Sequence, residues 1–73
     1  MLQISVTICA NHEKVMGEAR RLEREGVAKI DEHIPTLTLN VPDHRNEEMV
    51  IAVLAKLTRN GFVTDFKSEQ VNK

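Results

Sequence analysis

The chain repeats itself at an offset of 35 positions, and that repeat limits the fold more than any other feature. Gly26 matches Gly61, Leu2 matches Leu37 and Val6 matches Val41. Asn11/Asn46, Glu13/Glu48, Val15/Val50, Leu22/Leu57 and Arg24/Arg59 follow at the same offset. Ile4/Leu39, Met16/Ile51, Arg21/Lys56 and Val27/Phe62 are conservative matches. Each half reads strand, helix, glycine, strand. Two βαβ halves, about residues 1–33 and 34–68, therefore make one domain, with 69–73 expected as a frayed polar tail.

The elements follow from periodicity. Leu2, Ile4, Val6 and Ile8 alternate with polar residues, the period of a half-buried strand. Asn11 is placed to cap a helix running from about His12 to Glu25, whose stripe is Val15, Met16, Ala19 and Leu22. Gly26 suits the left-handed position that closes it. A short strand over 27–31 and a turn at Glu32, His33 and Ile34 come next. Leu37, Leu39 and Val41 mark a third strand beginning near Pro35. Pro42 and Asp43 start a second helix whose buried face is expected to be Met49, Val50, Val53, Leu54 and Leu57. Ile51, Ala52 and Ala55 make this helix the more apolar of the two. Gly61 ends it, and a strand over 62–67 finishes the domain.

At 73 residues the core is small, and a chain of this size buries only about 60% of its unfolded surface. A homodimer through a sheet edge or sheet face is the expected supplement, with a protein partner as the second candidate. The formal net charge of −1, with both signs interspersed, gives no polybasic stripe for nucleic acid or an anionic membrane. No run of about 18 apolar residues is present to span a membrane. The single cysteine fits a reducing compartment, expected to be the cytoplasm.

This order of elements resembles the ferredoxin-like βαββαβ fold, an α+β class with two helices on one face of a four-stranded antiparallel sheet. The resemblance implies central first and third strands, expected here to run in the same direction. Their carboxyl ends would then bring two loops to one rim. That rim would gather Cys9, Asn11 and His12 with Asp43, His44 and Arg45, and the two helix starts would favour an anion there. Asn11, His12, Asp43, His44 and Arg45 are thus the candidate ligand-binding residues. Cys9, His12 and His44 are candidate ligands for a transition metal, since thiolate and imidazole suit zinc, copper or nickel. His33 is expected at the opposite end. The other sheet face should be polar, with Gln3, Ser5, Thr7, Thr36, Thr38 and Asn40, and without the central aromatics that stack RNA bases.

Two families share more of the pattern. The segments EARRLEREGVAKID, PTLTLNV and VLAKLTRNGFVTDF resemble ACT and NIL ligand-sensing domains, which implies a regulatory ligand. Cys9-x-x-His12, the GV at 26–27 and the NGF at 60–62 resemble the heavy-metal-associated domain, with His12 in place of its second cysteine. That resemblance implies metal trafficking through Cys9. No glycine-rich phosphate loop or Ser-His-Asp set is present. The expectation is a small non-enzymatic regulatory or interaction module, with no resident cofactor. Metal binding through Cys9 and His12, and a protein adaptor without a small ligand, are the alternatives.

Overall fold

In a computed structural model, which describes residues 1–71, four strands pair in the order β2-β3-β1-β4. The elements are β1 (Leu2–Ile8), α1 (His12–Arg24), β2 (Lys29–His33), β3 (Thr36–Val41), α2 (Glu47–Arg59) and β4 (Val63–Gln70). A 3-10 turn at His44–Asn46 precedes α2. The sheet is antiparallel throughout, with both helices against one face. This is the expected ferredoxin-like α+β architecture.

The repeat is structural as well as textual. Both helices are 13 residues long, offset by 35, with Asn11 and Asn46 at their N-cap positions. Val15 and Val50 are both fully buried, as are nearly Leu22 and Leu57. Gly26 and Gly61 both sit in the left-handed region, with φ of 74° and 77°. A Cβ added at either would meet no atom within 4 Å, so only the backbone opposes a side chain there. Gly61→Ala should therefore cost about 1 kcal/mol in urea unfolding, with an unchanged m-value. A neutral result would mean that the α2–β4 turn does not need this conformation.

Asn11 caps α1 by conformation, not through its side chain. It adopts φ 50° and ψ 54°, its carbonyl accepts from the N–H groups of Lys14 and Val15, and its side chain makes no capping bond. Asparagine tolerates this region better than most residues.

The core lies between the sheet and the helices. Leu2, Ile4 and Val6 of β1 and Leu37, Leu39 and Val41 of β3 meet Val15, Met16, Ala19 and Leu22 of α1 and Val50, Leu54 and Leu57 of α2. Met49, expected in that face, is 44% exposed and lies outside it. On the open face, Gln3 Nε2 donates to Asn40 Oδ1 at 3.2 Å, and the Ser5 and Thr38 hydroxyls stand 3.5 Å apart. That face is polar, as expected.

Three expectations need correction. β1 and β3 run in opposite directions: Leu2 pairs with Val41 and Thr7 with Thr36. The crossover through α1 makes β2 run as β1 does, and the tight β2–β3 turn then reverses the chain. The second strand begins at Lys29, because Val27 and Ala28 are used in bonding back to the Leu22 carbonyl at the end of α1. The frayed tail is a strand as far as Gln70, since Ser68, Glu69 and Gln70 pair with Ile4, Gln3 and Leu2. Residues 72–73 of that expected tail lie outside the described residues.

Between Ser5 and Thr7 the register with β4 shifts by one residue, so two residues of β4 oppose one of β1. Asp65 takes φ 55° in this bulge. The kink carries Phe66 to the helix side of the sheet, where it packs against the core while partly exposed.

Candidate functional site

The antiparallel central pair divides the expected rim. Cys9, Asn11 and His12 follow the end of β1, whereas Asp43, His44 and Arg45 follow the end of β3. The two ends of β1 are roughly 20 Å apart at about 3.3 Å per residue. The six residues therefore form two separate groups.

At the first end the loop is held by backbone bonds. Cys9 and Ala10 donate to the Phe62 carbonyl at 2.8 and 3.2 Å, and Ile8 donates to the Pro35 carbonyl at 2.7 Å. Ile8, Cys9, Ala10, Asn11, His12, Ile34 and Pro35 line a shallow depression. The Cys9 thiol is exposed and lies 3.7 Å from the Thr7 carbonyl. His33 belongs to this end, contrary to expectation, because the β2–β3 turn closes against the end of β1. Its Nε2 lies 3.2 Å from Asp31 Oδ1.

At the second end the charges satisfy one another. Asp43 Oδ1 accepts from the Arg45 backbone N–H at 3.0 Å and from Nε at 3.2 Å, and Oδ2 accepts from Nη2 at 2.9 Å. His44 Nδ1 lies 3.3 Å from Glu47 Oε1, which also accepts from Gln70 Nε2 at 3.3 Å. Glu47 stands in the first turn of α2, where the helix dipole favours an acid. An anion arriving here would have to displace carboxylates already in place.

The Arg45 guanidinium and backbone N–H hydrogen bonds, reinforced by the charges of Arg45 and His44, hold the Asp43 carboxyl below its ordinary 3.8. Its pairing with Asp43 in turn raises Arg45. The folded value lies below the unfolded one, so the pair's contribution is present above the unfolded value. It is lost as pH falls through the folded value. An NMR titration of the Asp43 carboxyl should show this low midpoint, and Arg45→Gln should return it towards 3.8. An unchanged midpoint in the variant would mean the pair does not form in solution.

Compared with known proteins, the chain matches no family model, no curated protein and no solved structure. The likeness to ACT, NIL and heavy-metal-associated domains rests on sequence pattern alone.

Among the described residues, no three His, Cys, Asp or Glu side chains gather into a set that could hold a metal ion. Cys9 and His12 remain close in sequence where β1 leads into α1, and His44 is at the far end. No described helix is long and apolar enough to cross a membrane.

The surface that sequence reasoning missed lies on the flank of α2. Ile51, Ala55 and Thr58 form a groove with Phe66 of β4 that is almost wholly apolar. Ile51 is 37% exposed, although its repeat mate Met16 is only 5% exposed. The signal was in the sequence. Ile51 and Ala55 are one turn apart and fall off the stripe of Val50, Leu54 and Leu57, so α2 carries apolar residues on two faces.

Proposed function

We propose that the chain is a small non-enzymatic interaction module, cytoplasmic as its unpaired cysteine favours, that docks protein along the β4 edge and the α2 flank. The observation that carries this reading is the difference between the two flanks of the pseudo-symmetric domain. On the α1/β2 flank, Arg20 Nη2 and Glu32 Oε1 form an ion pair at 3.3 Å. The repeat mate of Arg20 is Ala55, and that of Glu32 is Lys67, which pairs with Ser5 on the open face, so the α2/β4 flank is apolar with a free sheet edge beside it. An apolar groove next to unpaired strand N–H and C=O groups suits a partner that adds a strand.

The separation of the two loops removes the geometric basis for one small ligand touching all six rim residues. It leaves Cys9 and His12 as a two-donor pair for the metal alternative. A benzophenone side chain at position 55 in the cell should give a discrete protein adduct mapped to a strand of the partner. The same probe at position 23, on the outer face of α1, should give none. Equal labelling at both positions, or no adduct at 55, overturns the docking reading. A stoichiometric zinc or copper(I) mass increment lost in Cys9→Ser would favour the metal alternative.

A further inference from the structure

We infer that the partner for this edge is a second copy of the chain, paired β4 to β4 about a two-fold axis through Ser68. The inference rests on the docking reading and adds the identity and register of the partner.

Charge selects the register. Lys67 and Glu69 pair with Ser5 and Gln3 of β1, so both lie on the open face of the sheet. A two-fold axis perpendicular to the sheet keeps all four helices on one side and places each residue of β4 opposite a mate of the same face. Centred on Ser68, this pairing sets Lys67 against Glu69 of the second copy, and Glu69 against its Lys67. Centring on Lys67 would set Lys67 against itself and Asp65 against Glu69. Centring on Glu69 would set Glu69 against itself. Centring on Phe66 would run the ladder through the bulge, where Asp65 at φ 55° is out of strand conformation. Charged residues normally protect an edge from pairing. Here they bar the like-charged registers and favour the reciprocal one.

The apolar flank meets the same axis. Gln70 Nε2 and Glu47 Oε1 are 3.3 Å apart, which fixes α2 against the end of β4. From that contact, two residues of strand to Ser68 advance roughly 6–7 Å. Four residues of helix to Ile51 advance roughly 6 Å. Ile51 is therefore level with Ser68, and the axis brings it towards Ile51 of the second copy. The half-exposed Ile51 thereby gains the cover that its repeat mate Met16 already has inside the monomer. The β2 edge offers no such flank, because Arg20 and Glu32 occupy it.

The test is sedimentation equilibrium on the full chain and on two variants. The wild type should show a reversible monomer–dimer equilibrium. Lys67→Glu and Glu69→Lys should each weaken it at least about tenfold, because each sets like charges together on both sides of the axis. Mixing the two variants should restore the dimer as a heterodimer, since the mixed pair again opposes unlike charges. That restoration also shows that both variants are folded. Ile51→Arg should weaken association without loss of the folded monomer. A wild type that stays monomeric up to its solubility limit overturns self-pairing and leaves the docking reading to the cross-linking result. A dimer indifferent to both charge reversals, or variants that do not associate when mixed, overturns this register.

Discussion

Leu39→Ala is expected to remove a large share of the domain's stability. Leu39 is fully buried, at the centre of β3 between Ile4 of β1 and Ile30 of β2. Truncating such a leucine costs about 2–5 kcal/mol, the transfer term plus the cavity it leaves. A domain of this length has only about 4–11 kcal/mol of total stability at about 0.05–0.15 kcal/mol per residue. Urea unfolding should show a much lower midpoint with little change in m-value. Met49→Ala is the matched control: at 44% exposure Met49 should cost well under about 1 kcal/mol. Equal losses at the two positions would contradict the packing of α2 described here.

Ending the chain after Lys67 should be nearly as damaging. Ser68, Glu69 and Gln70 pair with Ile4, Gln3 and Leu2, and the Val71 N–H donates to the Met1 carbonyl at 2.8 Å. About three to four ladder bonds disappear, each with a net contribution of about 0.5–1.5 kcal/mol, so a loss of roughly 1.5–6 kcal/mol is expected. The edge of β1 also loses its cover over half its length. Thermal unfolding of the truncated chain should fall by at least about 6 °C, at about 4–8 °C per kcal/mol for a domain this small. An unchanged melting temperature would show that the segment after Lys67 is indeed a tail. The truncation also removes Ser68 and Glu69, so it should abolish β4 pairing between copies.

Hydrophobic spacing made most of the elements legible. The alternation in β1 and β3, the stripe of α1 and the glycines at 26 and 61 each carry a local physical signal that the structure keeps. Strand direction carries no such signal. Periodicity reports which face a residue occupies and says nothing of which way its strand runs. The expected rim failed at that step, because its six residues were correctly placed around the approaches to the two helices, yet those approaches lie at opposite ends of the sheet. The end of β4 was hidden for another reason. Ser68 and Gln70 lie on the helix side but are polar, and Gln70 bonds Glu47 instead of filling the core. On α2 the extra apolar residues Ile51 and Ala55 were visible but given no role, and Met49 was assigned to a buried face that it flanks at 44% exposure.

The opposition of β1 and β3 also governs how the molecule looks from a distance. Each helix returns against the strand before it, so α1 and α2 run in opposite directions. Their macrodipoles, each equivalent to about half a charge at either end, largely cancel. With a formal net charge of −1 and bases interspersed among acids, little long-range field remains. An approaching partner is not steered, and its arrival should proceed at an ordinary rate of about 10⁵–10⁶ M⁻¹s⁻¹ with only a shallow dependence on salt. Recognition is therefore decided after contact, by the few side chains along one edge.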